Sequence, residues 1–170
     1  MKQKHLYVMS GPAGSGKSTW IDNRLRNYRD GIHISRDKIR FSLLKDGDDY
    51  FSYEDEVIKL FYQQVQNAID DPDGCTDIYV DATHLSPKAR NTLFNHISLE
   101  NVEKISAVSF EVPLFEIYKR NARRSGRALV PETIIYNMYH SYKAPTFAEW
   151  RFNEIIRIDK NGEERREYRE

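Results

Sequence analysis

Three glycines, a lysine and three hydroxyl side chains fall within the nine residues Gly11–Thr19, GPAGSGKST. Glycine leaves backbone N–H groups unshielded, so several can converge on one anion. The stretch fits G-x-x-x-x-G-K-[ST] through Gly11, Gly16, Lys17 and Ser18. That pattern suits a nucleoside polyphosphate. The backbone of Gly11, Ala13, Gly14, Ser15 and Gly16 would surround the phosphates, Lys17 would reach the terminal ones, and the Ser18 hydroxyl would hold Mg²⁺. A helix starting beside Gly16 would turn its positive end on the same phosphates. A glycine-rich turn that binds nothing is the alternative.

A phosphate loop does not say where the γ-phosphate goes, and three further groups bear on that. In Ser35-Arg36-Asp37-Lys38-Ile39-Arg40, a helical turn puts Asp37 and Arg40 on one face. A carboxylate there can take an acceptor hydroxyl's proton, and an arginine one turn on can grip an anionic part of the acceptor. A capped helix start with a surface ion pair fits the same residues. In Val80-Asp81-Ala82-Thr83-His84, the acid ending an apolar strand suits the Mg²⁺ shell, with Thr83 and His84 as candidate pocket residues. A capping aspartate and a turn histidine are the bland readings. In Arg120–Arg127, RNARRSGR, four arginines occupy eight positions. Guanidinium groups brought onto the γ-phosphate would stabilise its transition-state charge. Arg120 and Arg124 share a helical face and are assigned to the ATP phosphates, Arg124 with a catalytic role; Arg123 and Arg127 share another face. A solvated basic face is the alternative.

Positioning these groups takes an alternation of strands and helices. Leu6–Met9 reads as a buried strand before the loop and Ser18–Tyr28 as a helix after it. Further strands are predicted at 31–35, 77–81, 104–112 and 154–158, and helices at 53–70, from Ser86-Pro87, from Pro113 into the basic run, and from Pro131 through Tyr142. The alternation predicts an α/β fold, a five-stranded parallel sheet flanked by helices, with an arginine-rich lid over about 119–131. The charged tail 160–170 reads as frayed or a short hairpin-like extension.

The 170 residues suit one domain, 1–170. With 26 basic and 26 acidic side chains the formal charge is zero, which argues against long-range capture of nucleic acid but leaves room for a local basic cleft. The one cysteine, Cys75, excludes an intrachain disulfide. No apolar run reaches membrane-spanning length and no secretory pattern opens the chain, so a reducing, ATP-containing cytoplasmic setting is expected, bacterial or that of a phage-infected host.

GPAGSGKSTW, SRDKIR, DATHLSP and VPLFEIYKRNARRSGRALVPETIIYNMYHSY, in that order, resemble the kinase domain of phage-type polynucleotide 5′-hydroxyl kinases, a branch of the P-loop kinases. The resemblance covers almost the whole chain. It implies ATP and Mg²⁺ as cofactors and transfer of the γ-phosphate to a 5′-hydroxyl nucleic-acid end held under the lid. It implies Asp37 as general base, Arg40 on an acceptor phosphate, Lys17, Ser18 and Thr19 on ATP, and Arg120 and Arg124 near the β- and γ-phosphates. Two departures stand out. No D-x-D-G-T phosphatase element follows, and aligning Leu85-Ser86-Pro87 puts the family's strand-three aspartate at Ala82, one position after Asp81. A small hydroxyl acceptor (nucleoside, amino sugar or antibiotic) is the rival reading, and a nucleotide-hydrolysing switch a more distant one. Phe41, Tyr50, Phe51 and Tyr53 lie on the acceptor side, as base-stacking or core residues.

Overall fold

β1 (Lys4–Ser10) runs through the interior of a six-stranded sheet in the computed structural model, which describes residues 2–170. Its residues Leu6, Val8 and Met9 are wholly buried, as expected of a strand covered on both faces. The chain then alternates through α1 (Lys17–Asn27), β2 (Gly31–Ser35), α2 (Arg36–Leu43), α3 (Glu54–Asp70), β3 (Asp77–Asp81), α4 (Pro87–Asn95), β4 (Val102–Phe110), α5 (Leu114–Asn121), α6 (Glu132–Ser141), β5 (Glu154–Ile158) and β6 (Glu164–Tyr168). The strand order is β2-β3-β1-β4-β5-β6. The first five strands are parallel. After β1 the chain steps two places outward to β2, returns to β3 beside β1, then crosses to β4 on the other side. That reversal opens a crevice at the carboxyl end of β1.

Helices cover both faces. In α3, Val57, Phe61, Val65 and Ile69 recur every fourth residue and are all buried against the sheet. Complete burial of one such side chain contributes about 1.5–3 kcal/mol. On the opposite face Trp20 and Ile21 of α1 pack on Tyr7, Met9, Tyr79 and Phe110. A small third cluster, Val112, Ile117 and Ile135, fastens α5 to α6.

The sheet carries one strand more than the sequence predicts. β6 lies antiparallel to β5, with Glu154 opposite Tyr168 and Ile158 opposite Glu164. The tail is therefore an ordered edge strand. Its charges find partners: Arg166 pairs with the wholly buried Glu154 at 2.9 Å, and Trp20 Nε1 donates to Glu164 Oε1 at 2.8 Å. Among the described residues no helix is long and apolar enough to cross a membrane.

Candidate functional site

The loop between β1 and α1 turns at Gly14 (φ 82°) and Gly16 (φ 102°), a backbone region costly for residues with a Cβ. A Cβ on Gly14 would also press to 3.2 Å from Ile117 of α5. Gly16 begins α1 with no side-chain cap, so the first N–H groups of the helix remain unclaimed by a capping side chain. Lys17 is half-buried and folds back over the loop, donating to the carbonyls of Gly11 (3.0 Å) and Pro12 (2.8 Å). Burial lowers its pKa; the carboxylates of Asp81 and Asp37 oppose that shift, and Arg124 adds to it. The Gly11 N–H donates to the Thr83 carbonyl at 2.8 Å, which ties the loop to the segment after β3.

Asp81 closes β3 beside the first turn of α1. Its Oδ2 accepts from Ser18 Oγ at 2.9 Å and from His33 Nε2 at 2.7 Å. Burial alone would raise this carboxyl, but the His33 bond, Lys17 and Ser18 hold it below the usual carboxylate range. A hydroxyl and a carboxylate this close form a hard oxygen pair, and Mg²⁺ commonly takes one or two protein oxygens with the rest from phosphates and water. The donor set fits that ion. Asp81, one position before the Ala82 at which alignment puts the family's aspartate, already reaches Ser18 with its side chain.

Across the crevice, Ser35 caps α2 by accepting from the Lys38 N–H, so the capped start and the Asp37–Arg40 ion pair coexist. The Asp37 side chain is 63% exposed, whereas that of Arg40 is only 6% exposed. Arg40 Nη1 donates to Asp37 Oδ1 and to the Tyr50 hydroxyl (3.0 Å), while Nε and Nη2 grip both oxygens of Glu54 at 2.9–3.1 Å. Tyr50 donates in turn to Asp37 Oδ1 at 3.1 Å. Burial and the neighbouring carboxylate push the Tyr50 phenol up to about 12, so it keeps its proton and remains a donor. The Asp37–Arg40 geometry expected from the sequence is present. Glu54, which completes it, was not singled out there.

These groups share one cavity of about 560 Å³. Ala13, Gly14, Gly16, Lys17, Ser18, Asp37, Arg40, Asp81, Thr83 and Arg124 line it; Gly11, Ser15, Thr19 and Arg120 do not. Its far wall is aromatic and aliphatic, with Tyr50, Phe51, Leu129, Ile134 and Met138. Of the acceptor-side aromatics, Phe41 meets Tyr50 edge-on and Tyr53 packs on the core.

The lid departs from the helix expected there. α5 stops at Asn121, whose buried side chain donates to the Val130 carbonyl (2.7 Å) and accepts from the Val130 N–H (3.1 Å). This clip makes residues 122–129 a loop closed at its base, so the helical face shared by Arg120 and Arg124 does not exist. Arg120 instead lies outside the cavity and donates to the carbonyls of Ser15 (3.1 Å) and Lys160 (2.7 Å). Arg124 enters the cavity, and so does Arg127, which reaches the Lys45 carbonyl at 2.7 Å across its mouth. Asn121 and His33 were missed because their partners, Val130 and Asp81, are set by the fold rather than by a local pattern.

Several solved structures share this architecture, the P-loop kinase fold. A chain of the Pnkp1/Rnl/Hen1 RNA repair complex superposes with a TM-score of 0.70 at 23% identity, over 83% of this chain and 44% of that one. A fungal RNA kinase gives a TM-score of 0.64 at 15% identity, over 93% and 38%. An unliganded sugar kinase from Janibacter sp. HTCC2649 gives 0.60 at 18% identity, over 94% and 86%. The chain thus spans less than half the length of the first two. The sequence profile of the AAA domain family matches residues 6–145, from β1 through α6 to the turn before β5, and the chain belongs to that family.

Proposed function

We propose that this protein transfers the γ-phosphate of ATP to the 5′-hydroxyl of a polynucleotide, with Asp37 as general base. The observation that carries the reading is a free carboxylate oxygen in the phosphate-loop cavity. Among the described residues both bonds to Asp37 fall on Oδ1, from Arg40 and Tyr50, and Oδ2 accepts none. An exposed oxygen on an anchored carboxylate, lining the same cavity as Lys17, is where an acceptor hydroxyl can lose its proton as it attacks phosphorus. Lys17 and Arg124 would meet charge growing on the transferred group. Mg²⁺, held through Ser18 and Asp81, would neutralise charge on the β- and γ-oxygens. Phe51 offers a face for a terminal base. The motif order and the fold shared with RNA kinases support this acceptor class.

One observation favours a small hydroxyl acceptor instead. The five N–H donors of Arg40 are engaged by Asp37, Tyr50 and Glu54, and Glu54 neutralises its charge. Anion recognition would then fall to Arg36, whose Nε is buried without a partner among the described residues, and to Arg124 and Arg127. γ-Labelled ATP offered with 5′-hydroxyl DNA and RNA oligonucleotides, nucleosides and sugars decides between them. Labelled oligonucleotide ends are expected. Labelled nucleoside or sugar beside unlabelled oligonucleotides would establish the small-acceptor reading.

A further inference from the structure

His33 is a polar side chain in a short edge strand, and neither the phosphate loop nor the acceptor pocket needs it. It is nonetheless only 5% exposed and makes the shortest hydrogen bond to Asp81, 2.7 Å from Nε2 to Oδ2. The sheet register brings the two together. β2 and β3 are parallel, with Ser35 opposite Asp81 and His33 opposite Tyr79. Alternation puts His33, Ser35 and Asp81 on one face, so the imidazole is the diagonal neighbour of the carboxylate. On the other side of the ring, Lys38 Nζ from the first turns of α2 lies 3.3 Å from Nδ1. An ammonium can only donate, so Nδ1 accepts and the ring proton sits on Nε2, facing Asp81.

We infer that His33, oriented by Lys38, is a positioning residue that fixes the Asp81 carboxylate for a nucleotide-bound divalent cation. A single hydrogen bond from Ser18 leaves a carboxylate free to swing. A second donor on the same oxygen, from a different strand, removes that freedom and leaves Oδ1 without a hydrogen bond among the described residues. The Ser18 hydroxyl can give a lone pair to a cation while its O–H still donates to Asp81, so both holds are compatible with metal binding. Partners of this kind tune metal sites strongly. The inference rests on the nucleotide–metal reading of the cavity but not on the identity of the acceptor.

The test uses Mn²⁺ as a spectroscopic stand-in, titrated into ADP-loaded protein and followed by electron paramagnetic resonance. His33→Leu removes the donor, whereas His33→Gln keeps an N–H at the reach of Nε2. His33→Leu is expected to weaken Mn²⁺ binding by ~10–100-fold, with ADP affinity in excess chelator unchanged and a cooperative melt retained. His33→Gln is expected to restore most of the metal affinity. Mn²⁺ affinity unchanged in His33→Leu, or ADP affinity lost equally with and without metal, would overturn the inference. Lys38 is exposed, so Lys38→Met keeps the question open to measurement even if His33→Leu does not fold. Metal affinity is expected to fall in Lys38→Met, and wild-type affinity there counts against the relay. No Mn²⁺·ADP binding by the unaltered protein would sink the nucleotide–metal reading itself, a result distinct from a failure confined to the variants.

Discussion

Arg40 Nη1 lies 2.5 Å from Asp37 Oδ1, and the Tyr50 hydroxyl donates to the same oxygen at 3.1 Å. Two donors on one oxygen orient the other. Among the described residues neither donor reaches Oδ2, which is left open to the cavity. Arg40 is itself clamped by Glu54, so the carboxylate is anchored through a chain of charged groups running from α3 to α2.

Asp37→Asn keeps the shape of this arrangement and removes the carboxylate proposed as the base. kcat is expected to fall by ~10²–10⁴, the range for a lost general base, with nucleotide affinity nearly intact. Steady-state kinetics on whichever acceptor is labelled, together with ADP titration, provides the check. An unchanged kcat with a raised acceptor KM would make Asp37 a binding group. Tyr50→Phe, which removes only one of the two anchoring donors, is expected to have the same sign and a smaller size.

Arg124 and Arg120 are separable by the same kinetics. Arg124 lines the cavity, so Arg124→Ala is expected to lower kcat by at least ~10², in line with arginines that meet transition-state charge. Arg120 braces the Ser15 and Lys160 carbonyls from outside. Arg120→Ala should raise the nucleotide KM and lower the melting temperature, with kcat changed much less. The opposite ranking would mean that the lid rearranges to bring Arg120 inward when nucleotide binds.

The phosphate loop was legible in the sequence because its chemistry is local: glycines, lysine and serine act within one turn of one another. Asp37 and Arg40 were legible for the same reason, being one helical turn apart. What could not be read depends on partners fixed by the fold. Asn121 ends α5 only because Val130 returns to it nine residues later. His33 acquires its partner from the β2–β3 register, 48 residues away. The tail 164–168 has no apolar alternation to announce a strand; its pairing is held by β5 and by the buried Glu154, which Lys104 and Arg166 surround.

Acid should destabilise the protein in a window set by its buried histidines. His84 donates Nδ1–H to the Met9 carbonyl at 2.7 Å, and burial lowers its pKa to about 4 from 6.5. The unfolded chain binds the proton first, so the contribution is complete above pH 6.5 and is lost as pH falls toward 4, by about 3 kcal/mol at most. His5, also lowered to about 4 by burial, acts in the same direction. Carboxylates whose pKa is depressed, such as Asp81, weaken the fold only at lower pH. Denaturant melts between pH 7 and 4.5 read this slope. His84→Asn can keep a donor to Met9 and tolerates the positive φ of 40° at this position, so it is expected to fold with a flatter slope. An unchanged slope would assign the acid sensitivity elsewhere.

Arg90 ties the site to the rest of the fold. Wholly buried on α4, it donates to Glu149, to the carbonyls of His84 and Lys143, and to Ser10 Oγ at the end of β1. It therefore joins the root of the phosphate loop to the loop after β3. Arg90→Met strands Glu149 and the Lys143 carbonyl and leaves the His84 carbonyl with Ser10 Oγ alone, an expected cost of about 3–5 kcal/mol for breaking a buried pair from one side. Nucleotide affinity should fall with it, since the Gly11–Thr83 contact rests on the same two segments. Pairing Arg90→Met with Glu149→Leu removes the stranded carboxylate, so the double variant should melt higher than Arg90→Met alone, with affinity only partly restored. Strict additivity of the two substitutions in melting experiments would show that the pair does not act as a unit and that Arg90 works through its backbone contacts alone.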